Sequence, residues 1–464
     1  MKFLRYFLPL GLFAVVAASC SDNMEDDVTY TPTTAATDAI AEGSTVDLLL
    51  HRNITVNYTH PVKIANAAAI TLNGKPVEGA TANICQLNIP LDLEAGTDYT
   101  LVVGEGALVR YDNPEMAADP YTLHFSTRPA PVLDADLIDP AATPEAKKLF
   151  EFLKSQYGSK TMSGTMGEVA WGSGYYDVIT QEAGKAPAII GFDYIHLASS
   201  PANWIDYGDI TPVREAWEAG NIVQIMWHWN VPRLNNPKAQ LSTGISRFSP
   251  SNAMVPGNWE YEIMEKDIAK VAGYLKLIQD AGIPVIFRPF HEAAGDYAPT
   301  WGPWFWWGAE GVEVTKQLWD HLYNKLVNDY GIHNMIWCWT VQTSNAGELA
   351  SLDQLQGAYV GNDKCDFVGV DVYSEEDLFS DFDRFYLVRE LVEGKKMVAL
   401  SECGKLFNPD VAFPKGETWL YFMQWYETES NQFFIKNYSP AEVWQQVTSS
   451  PYTLNRDDIK SLLN

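Results

Sequence analysis

The segment Phe287-Arg288-Pro289-Phe290-His291-Glu292 closes a short apolar run, Ile283 to Phe287, with a histidine–glutamate pair. The run itself has strand character. Trp301, Trp304, Trp306 and Trp307 follow in a loop rich in glycine and aromatic residues. A carboxyl group against apolar ring surface can hold its proton near neutral pH, because burial disfavours the charged form. Flat aromatic faces suit the C–H faces of sugar rings. Farther along, the apolar run Met397 to Leu400 leads into Ser401-Glu402-Cys403-Gly404 and again delivers a lone glutamate. Cleavage of a glycosidic bond commonly uses two carboxyls, one as proton donor and one as nucleophile or base.

Two acids so distant along the chain must be brought together by the fold. From Thr161 onward, strand-like and helix-like blocks alternate. The candidate strands are Thr161–Met166, Pro187–Ile195, Asn221–Trp229, Ile283–Glu292, Asn334–Thr340, Asp366–Tyr373, Lys396–Glu402 and Trp419–Trp425. The block Glu262 to Asp280 carries Ile263, Ile268, Val271, Leu275 and Ile278 at helical spacing. Eight such β/α units predict a (β/α)8 TIM barrel over residues 144–464. In that architecture chemistry is built at the C-terminal ends of the strands. Glu292 then ends the fourth strand and Glu402 the seventh. Arg288 precedes Glu292 by four residues, on the same face of a strand, so a plain ion pair between them is the simpler alternative.

Residues 36–128 read as a small all-β sandwich. Ile70-Thr71-Leu72-Asn73-Gly74-Lys75 carries an Asn-Gly hairpin signal, and Tyr99–Val103 and Tyr121–Phe125 alternate or run apolar as strands do. The segment resembles bacterial Ig-like domains in that hairpin, in Gly96–Leu101 and in the closing Phe125-Ser126-Thr127. No convincing chemistry is visible in it, and a spacer is the plain reading. Residues 129–143 form a Pro/Ala-rich linker.

Residues 1–20 have the layout of a processing signal: Lys2 and Arg5, then an apolar stretch from Phe7 to Val16 too short for an ordinary membrane span. Ala17-Ala18-Ser19-Cys20 resembles a bacterial lipobox, which implies lipidation of Cys20. Residues 21–35 form an acidic flexible tether, and Asp22–Asp27 resembles the surface-export signal of Bacteroidota lipoproteins. The expectation is an outer-membrane lipoprotein, at the cell surface or facing the periplasm, held by its lipid alone. The formal net charge of −27 argues against nucleic acid and other polyanions, whose binding needs clustered cations. Cys85, Cys338, Cys365 and Cys403 show no close metal-binding spacing. They read as buried small hydrophobes, with a Cys338–Cys365 disulfide left open.

His291-Glu292 on the fourth strand, the nearby Trp304-Phe305-Trp306-Trp307-Gly308 and Ser401-Glu402-Cys403-Gly404 on the seventh resemble glycoside hydrolase family 26, within the retaining clan A. The resemblance spans roughly residues 144–464. It implies an endo-β-1,4-mannanase that takes a neutral β-mannan and needs no metal or cofactor, and a monomer is expected. By the same resemblance Glu292 is the acid/base and Glu402 the nucleophile. Val370-Asp371-Val372-Tyr373 resembles the family's Gly-x-Asp-x-Tyr, which gives Tyr373 the role of orienting Glu402. Trp227-His228-Trp229-Asn230 resembles the histidine element lining the −1 sugar site. His228, His291, Trp304, Tyr373 and Asp371 are therefore the candidate substrate-binding residues, with Asp371 equally readable as structural. Both histidines also have a plain reading as satisfied core residues. Trp306 and Trp307 are as readily core as platform, and Asp193 and His196 read as structural. Residues 297–303 are an insertion relative to the family pattern. β-1,3-Xylanase or mixed-linkage β-glucanase activity keeps the mechanism and changes the sugar. The same residues also admit a non-catalytic glycan-binding lipoprotein and, more remotely, a metal-dependent hydrolase.

Overall fold

A computed structural model describes residues 40–169, 171–197, 205–233, 236–241, 248–298, 302–425 and 439–463. The signal segment, Cys20, the tether and Trp301 lie outside them. The chain divides into two compact units, one up to Ala130 and one from Pro131 onward.

The first unit is built from short, mostly antiparallel strands around Ile54, Val56, Leu87, Ile89, Leu101, Val103, Leu123 and Phe125, all buried. Asn73 and Gly74 both have positive φ, and Leu72 pairs with Lys75 across them. That is the two-residue hairpin that an Asn-Gly pair favours.

The second unit is a closed parallel barrel. Its strands are β1 Thr161–Met166, β2 Ile189–Asp193, β3 Ile222–Trp227, β4 Val285–Pro289, β5 Met335–Val341, β6 Phe367–Val372, β7 Met397–Cys403 and β8 Tyr421–Gln424. Neighbours pair in order, and β1 closes the ring by pairing with both β8 and β2. The strands are buried on both faces, which is why they read as apolar runs rather than as clean alternation. Period two still sorts their residues. Ile286 of β4, Ile336 and Cys338 of β5 and Phe367 of β6 pack with Met162, Met166, Met226 and Met423 in one cluster, inside the barrel. Val285, Phe287, Trp337, Trp339, Val368 and Val370 join the other large cluster, beneath the surrounding helices. One of these helices, Trp259–Asp280, buries Ile268, Val271, Leu275 and Ile278, the stripe visible in the sequence.

Following the inward positions up β2, β4, β5, β6 and β7, apolar residues give way to polar ones. Asp193, Arg288, Thr340, Asp371 and Glu402 stand at the C-terminal ends of β2, β4, β5, β6 and β7. On β7 the alternation breaks. Val370 pairs with Leu400, but Asp371 pairs with Glu402, so Ser401 is an extra residue in a bulge. A bulge re-aims side chains; here it leaves Ser401 and Glu402 both directed into the barrel mouth. Cys338 and Cys365 are both free thiols, so the disulfide left open by their spacing is not formed.

Candidate active site

Glu292 stands beyond the end of its strand. β4 stops at Pro289, and Phe290 and Glu292 then adopt φ of +51° and +53°. Left-handed backbone at non-glycine residues costs roughly 1–3 kcal/mol each and persists only where the surroundings impose it. Phe290 is buried against Trp229, Trp306 and Trp307. His291 between them is buried, and its carbonyl accepts a 2.9 Å bond from Trp307 Nε1. The reversed backbone turns Glu292 into the cleft, where its Oε2 accepts a 2.8 Å bond from Trp304 Nε1.

Arg288 is fully buried beneath Glu292 and does not pair with it. It donates to Asp371 Oδ2 at 2.7 Å and twice to Glu402 Oε2, at 2.8 and 3.1 Å. The simple ion pair with Glu292 is thus replaced by a three-residue network across β4, β6 and β7. The other oxygen of Glu402 accepts a 2.5 Å bond from the Tyr373 hydroxyl. Both oxygens of the carboxylate are held, which fixes its plane. Asp371 spends its second oxygen on Ser401 Oγ at 2.8 Å, and its side chain is inaccessible to solvent. Asp371 lines the cleft floor with both oxygens held by protein donors.

Oxygens of Glu292, Asp371 and Glu402 all lie within 4.8 Å of one another. That spacing can also suit a divalent cation, but Arg288 already supplies the positive charge to two of the three. Burial, and next the charge of Asp371, push Glu292 up to about 8. Burial and Asp371 press Glu402 upward as well, with Arg288 opposing them. Two carboxyls this close do not both ionise readily, and their contacts decide where the proton stays. Glu402 has a guanidinium and a phenol, both of which favour its anion. Glu292 has the Trp304 indole N–H, with smaller help from the more distant Arg288 charge and from Gln342. The proton belongs to Glu292. Burial also keeps the Tyr373 phenol well above its ordinary range, so it remains the donor.

Of the two candidate histidines, His228 lines the cleft and His291 lies buried behind it. Asp193 Oδ2 is 2.6 Å from His228 Nδ1 and Oδ1 accepts from its backbone N–H; His228 Nε2 is 2.9 Å from His291 Nε2. Burial drives His291 well below the ordinary histidine range, so it is neutral. Asp193 thus holds the His228 ring through Nδ1, and its Nε2 meets Nε2 of His291 behind it. Asp193, read from sequence as structural, is what orients the histidine in the cleft. His196 sits beyond the end of β2 with its backbone N–H on the Tyr207 hydroxyl. Trp306 and Trp307 are fully buried and belong to the core. Trp304, at 37% exposure, is the tryptophan of that group left facing the cleft among the described residues.

Sequence reading missed three further contributors. Trp425 follows β8 and places its ring 5.3 Å from that of His228. Phe305 stacks on Trp307 at 4.3 Å and also lines the cleft. Asp296 holds the start of the inserted loop by accepting from Ser344 Oγ and from the backbone of Ala298 and Ala346. Phe305 sits inside the Trp-Phe-Trp-Trp-Gly motif without standing out in it, and Trp425 and Asp296 are of types too common to carry a signal without the fold. The arrangement can donate a proton from Glu292 and attack from Glu402 across one small gap.

The model of glycosyl hydrolase family 26 matches residues 138–458. A mannan endo-1,4-beta-mannosidase of Thermothelomyces thermophilus is 32% identical over 345 residues, 72% of this chain and 65% of that protein. Mannan endo-1,4-beta-mannosidase B of a Piromyces species is 32% identical over 71% of this chain and 54% of its own length. The chain thus spans less than two thirds of these curated relatives. Among solved structures, the GH26 domain of an endo-beta-mannanase/endo-beta-glucanase from Prevotella bryantii is 34% identical, with a TM-score of 0.63 over 70% of this chain and 99% of that one. A beta-mannanase from a symbiotic protist of the termite Reticulitermes speratus, complexed with gluco-manno-oligosaccharide, is 27% identical, with a TM-score of 0.60 over 71% and 98%.

The Tyr373–Glu402 bond depends on Gly404, where an added Cβ would lie 2.8 Å from the tyrosine ring. Gly404→Ala should displace that ring and cost about a hundredfold in turnover, the scale of a 1 Å misplacement, while the melting temperature changes little. Unchanged turnover would show that the bond does not govern Glu402.

Proposed function

The chain belongs to glycosyl hydrolase family 26, and from that premise we propose that it is a retaining endo-β-1,4-mannanase acting on mannan, galactomannan or glucomannan. The observation that carries the mechanism is the 4.8 Å limit on the separation of the Glu292 and Glu402 oxygens. Retaining enzymes hold their carboxyls about 5–5.5 Å apart, whereas inverting ones leave about 6.5–9.5 Å for a water. The relatives' names support the choice of sugar.

Glu402 attacks the anomeric carbon as Glu292 protonates the departing glycosidic oxygen, and a covalent glycosyl-enzyme forms. Glu292, now ionised, takes a proton from water, which displaces Glu402 with a second inversion. Arg288 and Tyr373 keep Glu402 anionic and correctly turned. His228, set by Asp193 and His291, and Trp425 flank the sugar ring that is transferred to Glu402. Trp304 steadies Glu292 and offers its face at the cleft edge. We also propose lipidation at Cys20 as the membrane anchor. No helix among the described residues is long and apolar enough to cross a membrane.

Digestion of galactomannan, glucomannan, lichenan and β-1,3-xylan should release oligosaccharides from the two mannans; if neither mannan is cut, the assigned substrate is wrong. Glu402→Ala and Glu292→Ala should each lower mannan hydrolysis by several orders of magnitude while glycan binding persists, and wild-type rates in both would remove the mechanism. The Glu292 acid is competent only when protonated, and its pKa lies above the ordinary carboxyl range, near 8. Turnover should therefore be sustained at neutral pH and decline as pH rises through about 8. A basic limb near pH 5 in the kcat/KM profile would contradict that placement of the proton.

A further inference from the structure

The cleft, about 860 Å³, does not stop at the two glutamates. That volume matches pockets that enclose a ligand of several rings. One end holds His228 and Trp425. Past Glu292 and Glu402 the cleft continues over the connections that follow β5 and β6, lined there by Thr343, Ser380, Asp381, Arg384 and Phe379.

This far end is firmly built. Leu378 has a φ of +60°, a strained conformation for leucine. Its N–H is tied to the Leu406 carbonyl, and the Phe379 carbonyl accepts from Asn408 N–H, each at 2.7 Å. The buried Glu417 accepts from Ser380 Oγ at 2.6 Å and from the Asp381 N–H at 3.0 Å. Asp381 caps the helix Phe382–Leu391 and grips Arg384 Nε at 2.6 Å; Arg384 Nη1 reaches Thr343 Oγ1. The second terminal nitrogen, Nη2, has no partner among the described residues. A guanidinium held by two of its nitrogens has already given up rotamer freedom, and its planar fork suits paired oxygens. Beside a partly buried phenyl ring, it offers the two elements that a pyranose needs: a flat apolar face and fixed donors for adjacent hydroxyls.

We propose that Arg384 and Phe379 form a sugar subsite for the leaving-group side of the chain, and so set where along an oligosaccharide the cut falls. This rests on the proposed mannanase reading. If His228 and Trp425 flank the ring transferred to Glu402, the opposite end of the cleft receives the departing portion.

The test compares mannopentaose, which can fill that end, with an aryl β-mannobioside, whose leaving group carries no sugar. Hydrogen bonds to a charged group contribute enough that Arg384→Ala should lower the ratio of kcat/KM on mannopentaose to kcat/KM on the aryl glycoside about tenfold or more. Phe379→Ala should lower the same ratio, and Arg384→Lys should restore only part of it. Mannopentaose labelled at its reducing end should show a shifted distribution of cuts with Arg384→Ala. A ratio and cut pattern like those of the wild type in folded Arg384→Ala and Phe379→Ala would overturn the subsite and leave the mannanase reading intact. If Arg384→Ala does not fold, Phe379→Ala and Arg384→Lys decide alone. A wild-type protein that cleaves neither substrate overturns the parent reading, and the subsite falls with it.

Discussion

A single buried guanidinium holds the site in register. Arg288 joins the fourth, sixth and seventh strands through Asp371 and Glu402, and no water reaches its side chain. Removing a cation and two carboxylates from solvent is costly, and such a network persists only with close geometry and few unused donors. Here Thr340 takes the Nε, Asp371 and Glu402 take the terminal nitrogens, and Ser401 and Tyr373 serve the remaining carboxylate oxygens. The same network divides the two glutamates electrically. The one in contact with the cation is held as an anion. The other, surrounded by rings, keeps its hydrogen.

Both glutamates depend on local departures from regular backbone. A left-handed residue on each side of His291 lifts Glu292 out of the line of its strand. An extra residue at Ser401 turns Glu402 inward beside another inward side chain. Neither irregularity is favoured locally. Each is imposed by packing: Phe290 among tryptophans in one case, the pairing of Asp371 with Glu402 in the other. The tryptophan-rich composition therefore has two uses. Most of the rings brace the backbone, as Trp307 does through its bond to the His291 carbonyl, and Trp304 and Trp425 reach the cleft.

Much of this was legible in the residues alone. Eight apolar runs separated by helical blocks gave the barrel, and two of those runs ended in the glutamates that the fold brings together. Strand endings proved less legible: Glu292 was placed at the end of a strand that stops at Pro289, because dihedral strain has no signature in composition. Partner choice was also hidden. Arg288 looked paired with its near neighbour, yet its partners come from distant strands. His291 and Asp371 carry the residue types expected of sugar ligands, and only the fold shows that His291 is buried behind His228 and that Asp371 is held by Arg288 and Ser401. Arg384 had no signal, since an arginine in the first turn of a helix is ordinary until the cleft beside it is visible.

Asp371 has a consequence for how this scaffold can diverge. Because it balances Arg288 independently, loss of the Glu402 carboxylate leaves no naked charge in the interior, and the barrel has little reason to collapse. Under the proposed mannanase reading, a descendant can therefore shed turnover in one mutational step and survive as a lectin-like receptor, its groove unchanged in shape.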